Sequence, residues 1–150
     1  MQRRNNTSRM LMVAALVCGG AGLAARAQVA AEPPIHLAHV EGFVVDPEGK
    51  PLVNAEITLE RDNIVAYKTT TDDAGEFEFE HITGDYSFRV ARTKYAPALR
   101  EIHVGELIQS YMQRRKLYVI VGPGACTDSC SSIYTSKHDF QRAIQKRNKK

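Results

Sequence analysis

From His39 onward the chain alternates apolar and polar residues with the two-residue period of a strand. Val40, Gly42 and Val44 fall on one face, and Phe43 and Val45 on the other. Asp46-Pro-Glu-Gly-Lys-Pro51 reads as a turn, because Pro47 fixes φ and Gly49 tolerates a positive φ. Val53, Ala55, Ile57 and Leu59 then alternate with Asn54, Glu56, Thr58 and Glu60, the pattern of a half-buried strand. Arg61-Asp62-Asn63 turns the chain into Ile-Val-Ala-Tyr-Lys-Thr-Thr-Thr71, a β-branched run suited to another strand. Asp72-Asp73-Ala74-Gly75 is the next turn, and Phe77 and Phe79 alternate with three glutamates after it. Gly84-Asp85 precedes the alternating Tyr86, Phe88 and Val90. Residues 99–104 and 116–121 supply two more short strands.

The sum is about seven strands with turn signals every 8–12 residues, the mark of an antiparallel sandwich. The expected fold is therefore all-β: a seven-stranded antiparallel Greek-key sandwich with a short C-terminal helix. Ser136 and Asp139 have capping-box-like spacing, and Phe140, Ala143 and Ile144 make one apolar stripe. Lys146 and Arg147 suit a helix C-terminus. These features predict a helix over 137–147 that packs weakly on the sandwich. Residues 105–115 fit a helical turn or a loop equally well.

The N-terminus has a different character. Arg3, Arg4 and Arg9 precede an apolar run over 10–25, and Ala25-Arg26-Ala27 has small-x-small form before Gln28. Basic, apolar, then small residues is the order of a secretory signal peptide, with cleavage expected between Ala27 and Gln28. The apolar run is short and Gly-rich for a membrane span. Bulky Val17 before Cys18 argues against a lipidated cysteine, and no apolar motif directly follows Arg3-Arg4 to make a twin-arginine signal. The division is thus signal 1–27, linker 28–38 with Pro33-Pro34, sandwich 39–121 and tail 122–150.

Removing the signal changes the charge. It takes four arginines and no acid from 20 bases and 17 acids, leaving 16 against 17 and a net charge of −1. The precursor's basicity is a targeting feature and gives no reason to expect nucleic acid as a partner. The tail from Lys137 holds six bases and one acid, fitting a solvated helix end or attraction to an anionic surface. Cys126 and Cys130 are the cysteines left in the mature chain, and in an oxidising compartment they pair with each other. Their three-residue spacing does not fit the two-residue spacing of thioredoxin-like redox pairs.

The turn motifs resemble a known family. Gly42-Phe-Val-Val-Asp46-Pro-Glu-Gly49-Lys-Pro51-Leu-Val-Asn-Ala55 is similar to the opening of carboxypeptidase regulatory-like domains, as are Thr71-Asp72-Asp-Ala-Gly75-Glu-Phe77 and Gly84-Asp-Tyr86. The resemblance covers residues 39–121. It implies a transthyretin-like (prealbumin-like) sandwich of the carbohydrate-binding-like fold group, found in known hosts beside peptidases or receptor barrels. With the signal, it also implies a bacterial protein, periplasmic or secreted. A Lys–Asn isopeptide bond of some related sandwiches is not expected, since Lys116–Val121 contains no Asn.

No catalytic constellation stands out, so the expectation is no enzyme, no cofactor and no metal. His103-x-x-Glu106 has the spacing of a zinc carboxypeptidase pair, but only His138 follows as a third ligand. His36 and His39 lie in the linker without nearby acids or cysteines. Asp46, Glu48, Asp72 and Asp73 sit where turns need side-chain acceptors, off any calcium-loop spacing. Tyr67, Tyr118 and Phe43 lie on faces opposite the best core stripe and form a possible ligand platform, although the chain has no Trp. Three functions follow. A non-catalytic interaction module or scaffold, with an envelope protein as partner, comes first. A carbohydrate-binding module of the envelope is second, and a thiol-redox or metal-dependent enzyme third.

Overall fold

The computed structural model describes residues 32–105, 115–126 and 130–149. The signal segment, its cleavage point at Ala27–Gln28, and Glu106 lie outside the described residues. The described elements run β1 (Ile35–Leu37), β2 (Val40–Val45), β3 (Glu56–Arg61), β4 (Ile64–Thr70), β5 (Glu76–Phe79), β6 (Gly84–Ala91), β7 (Tyr95–Ala96), β8 (Ala98–Val104), β9 (Leu117–Ile120), β10 (Gly122–Pro123), β11 (Ser132–Tyr134) and α1 (Lys137–Arg147).

Two sheets form the sandwich. One has the order β1-β8-β6-β3-β4 and the other β11-β9-β2-β5, with β7 and β10 as a small separate pair. After the β3–β4 hairpin the chain returns as β5 beside β2, the return of a Greek key. The inward stripes are those the alternation marks: Val40 and Val44, Ile57 and Leu59, Phe77 and Phe79, Tyr86, Phe88 and Val90 are all buried in one core.

Turn chemistry sets the registers. Asp62 and Asn63 both take positive φ (53° and 62°), as a two-residue hairpin between Arg61 and Ile64 requires. Two other turns repeat one device. Asp46 Oδ1 accepts from the N–H groups of Glu48 and Lys50 at 3.0 and 2.8 Å, and Gly49 follows at φ 86°. Asp72 Oδ1 accepts from Ala74 and Glu76 at 2.9 and 2.8 Å, with Gly75 at φ 76°.

The all-β sandwich stands, and four details differ from expectation. Two ladders, β1–β8 and β2–β9, are parallel, so the sheets are mixed rather than wholly antiparallel. Their partners come from distant parts of the chain, and local alternation carries no strand direction. The 28–38 segment is not all linker: Ile35–Leu37 pairs with Ile102–Val104, and Leu37 is buried in the core. β3 starts at Glu56 rather than Val53, because Asn54 takes φ 55° and Val53-Asn54 form a turn. Finally, α1 has the expected bounds and Ser136 cap, but it packs firmly. Its Phe140 is 6% exposed and makes a second apolar cluster with Val45 and Ile120, flanked by Phe43, Tyr118 and Tyr134. The result is three layers: sheet, sheet and helix.

Candidate functional site

The expected aromatic platform is not assembled. Phe43 and Tyr118 are neighbours across the β2–β9 ladder, on the outer face of the four-stranded sheet. That face is covered by α1: Phe140 lies 6.1 Å from the Phe43 ring and 5.2 Å from the Tyr118 ring. Tyr67 sits on the other sheet, 42% exposed, edge-on to buried Tyr86 at 5.8 Å. The correction has a simple cause. A strand apolar on both faces must be covered on both, and the apolar stripe of α1 supplies the second cover.

The acidic turns bind their own backbone. Asp46 and Asp72 spend carboxylate oxygens on turn N–H groups, as above, while Glu48 and Asp73 are exposed at the rims of the same turns. Cys126 and Cys130 are joined as a disulfide. Ser131 beside it donates to Ala96 O at 2.8 Å and accepts from Gly122 N–H at 2.9 Å. Arg147 of α1 donates to Cys130 O at 2.8 Å. Ser131 and the Cys130 carbonyl therefore tie the bridged segment to the sandwich and to α1.

The histidines divide. His138 is exposed on α1, 3.6 Å from Asp139. His39 and His81 line an open cleft of about 590 Å³ with Phe79, Ile82 and Thr83. His36 and His103 face each other across β1 and β8, with ring centres 5.3 Å apart. Asp85 meets His103 from the other side: Oδ1 is 2.6 Å from His103 Nδ1. No three metal-ligating side chains converge on one point among the described residues. Sequence spacing singled out both His36 and His103 but not their pairing, nor Asp85, since only the strand registers bring them together.

Among the described residues, three of the four exposed large hydrophobics, Ile64, Val65 and Tyr67, lie on one sheet edge. β4 ends the five-stranded sheet, and no strand pairs with its outer side among the described residues. Ile64 is 70% exposed and Val65 50%. The strand carries one charge, Lys68, held 2.7 Å from Glu56 of β3. The other sheet ends differ. β5 presents Glu76 and Glu78, and β1 and β11 are three residues long. Sheet edges that must stay unpaired are usually short or charged, whereas β4 is seven residues long and its one charge is paired within the sheet.

These features define a small β-sandwich module whose longest edge strand, among the described residues, is β4. Residues 39–108 match the model of the carboxypeptidase regulatory-like domain, the resemblance that the turn motifs imply. A stretch of 65 residues is 34% identical to a viral protein named structural protein 27 (virus isolate Australia/Victoria). The match covers 43% of this chain and 12% of that protein, so the chain spans a small part of its relative's length. Among solved structures, the chain is similar to the 5-hydroxyisourate hydrolase of Klebsiella pneumoniae at 15% identity. That match has a TM-score of 0.48 and covers 67% of this chain and 100% of the hydrolase. A likeness of that size carries no argument about chemistry.

Among the described residues, no helix is long and apolar enough to cross a membrane.

Proposed function

We propose that the protein is a non-catalytic, extracytoplasmic interaction module that binds a protein partner by strand addition along β4. One observation carries the reading: a seven-residue edge strand with exposed Ile64 and Val65 and a single, internally paired charge. A partner strand laid there would satisfy its backbone groups on the ladder, and alternate side chains would give it specificity. The N-terminal pattern and the Cys126–Cys130 disulfide support an address outside the cytoplasm. The family supports a module serving larger assemblies. With Tyr118 and Phe43 under α1, the carbohydrate reading keeps Tyr67 alone.

The test is a pull-down from envelope extract, run beside a panel of polysaccharides that includes peptidoglycan. The intact chain is expected to retain one protein and an Ile64→Lys/Val65→Lys variant to lose it. Retention undiminished in that variant would overturn the reading. So would salt-resistant retention on a glycan that disappears in Tyr67→Ala, which would favour the carbohydrate alternative.

A further inference from the structure

His36 and His103 stand side by side on a rigid frame. Leu37 is buried in the core and Ile35 packs against it on the other side of His36, and Ile102 and Val104 are buried around His103. Both imidazoles therefore project from the outer face of the sheet, and the parallel register sets them level. Asp85, level with His103 on β6, contacts Nδ1 at 2.6 Å. An ionised carboxylate only accepts, so a neutral ring making this contact carries its proton on Nδ1 and presents the Nε2 lone pair to a ligand. A carboxylate on one ring nitrogen is the usual support of an imidazole that ligates metal through the other.

The spacing agrees with that role. A histidine nitrogen lies about 2.0–2.1 Å from zinc, which puts the ring centre about 3.2 Å from the ion. Two such rings at a tetrahedral angle have centres about 5.2 Å apart. The rings here are 5.3 Å apart. Two imidazoles suit zinc, copper or nickel rather than calcium or magnesium, which prefer oxygen.

We propose that His36 and His103 form a two-histidine site for a divalent transition metal of the zinc class, with water completing the coordination and Asp85 acting as a positioning residue. The ion would clip β1 to β8. β1 is three residues long and paired on one side, so a bond across this ladder would secure the strand by which the chain enters the sandwich.

The experiment is a calorimetric titration of the full chain with Zn²⁺ alone, with thermal unfolding followed in parallel. One ion per chain is expected, together with a melting temperature that rises with zinc. His36→Gln and His103→Gln are each expected to abolish both effects. Asp85→Asn is expected to weaken binding by about tenfold or more while leaving the melting temperature without zinc unchanged. His39→Gln and His138→Gln are expected to bind as the unaltered chain does. Absence of saturable binding would overturn the proposal. So would binding that survives in the His36→Gln/His103→Gln double variant, or that is lost in His39→Gln or His138→Gln.

Discussion

Thr71 is a buried polar joint, and replacing it with valine tests whether the loop before β3 is held as the geometry indicates. The residue is 2% exposed. Its hydroxyl donates to Leu52 O at 2.6 Å and accepts from Ala55 N–H at 2.8 Å. Its backbone adds two bonds: Thr71 N–H to Ala55 O at 3.0 Å, and Asn54 N–H to Thr71 O at 3.1 Å. Thr71 thus takes part in four of the hydrogen bonds that hold residues 52–55, beside Leu52 N–H to Val44 O at 2.9 Å and Arg92 to Asn54 O at 3.1 Å. Valine keeps the β-branched shape, but it leaves the Leu52 carbonyl and the Ala55 N–H without the hydroxyl. Both residues are buried, at 8% and 0% exposure, so water does not replace the hydroxyl. Each orphaned buried group costs about 1–3 kcal/mol. The expected loss for Thr71→Val is therefore about 3 kcal/mol once partial relaxation is allowed. Thr71→Ser keeps both hydrogen bonds and deletes one methyl, for a loss of about 1 kcal/mol. Urea unfolding followed by far-ultraviolet circular dichroism separates the two. With a slope of about 2 kcal/mol/M, the valine variant shifts the midpoint by about 1.5 M and the serine variant by about 0.5 M. A valine variant within about 0.5 M of the parent, or a serine variant as damaged as the valine one, would refute the reasoning.

Two further outcomes follow from the core. At Gly42 a Cβ would lie 2.3 Å from the backbone oxygen of Leu117 and 2.6 Å from the Phe77 ring, so Gly42→Ala should destabilise by about 1–3 kcal/mol, and an unchanged denaturation midpoint would contradict that packing. Burial raises the pKa of Tyr86 above its ordinary value of 10.0, with the Arg61 guanidinium opposing the shift. The folded state then holds its proton where the unfolded state has lost it, so this contribution is complete below pH 10 and fades as pH climbs past 10 toward the folded value. Spectrophotometric titration should find one tyrosine ionising later than the exposed ones, and Tyr86→Phe should flatten the alkaline decline in stability.

The strands were legible where one face is buried and the other wet, because a two-residue period then writes the fold into the sequence. Ile57 and Leu59, Phe77 and Phe79, and Tyr86, Phe88 and Val90 all point inward as their alternation demands. The turns were legible because Asp46 and Asp72 accept from the backbone two and four residues on, which is what aspartate does there. The bounds of α1 followed from Ser136 and the Phe140 stripe. The failures have one cause: they depend on pairings between distant segments. Ile35 and Leu37 alternate around His36, yet three residues after Pro33-Pro34 make a weak local signal for a strand held only by β8. The aromatic platform failed because β2 and β9 are apolar on both faces, and strands of that kind need a second cover. The signal for that cover was present in the apolar stripe of α1. The His36–His103–Asp85 set had no sequence signal of its own, since it exists only where three registers coincide.

The covering of one sheet decides where function can reside on this molecule. α1 closes the outer face of the four-stranded sheet over Phe43, Tyr118 and Val45, so that layer is occupied by the protein's own tail. The five-stranded sheet has no such helix among the described residues. Its outer face carries Asp85, Ser87 and Arg89 on β6 and Glu101 and His103 on β8, a mostly polar set in which Leu99, opposite Arg89, is the exposed apolar member. One long edge of that same sheet, β4, exposes Ile64 and Val65 and has no strand on its outer side among the described residues, and the opposite edge, β1, carries His36. A partner strand at β4 and an ion at β1–β8 would therefore act on opposite margins of one rigid sheet. Four strand separations of about 4.8 Å put β1 and β4 roughly 19 Å apart, too far for direct contact between the two ligands. Binding at β4 that is indifferent to zinc would show two independent uses of the sheet. Binding that changes with zinc would mean that securing β1 alters the strands between.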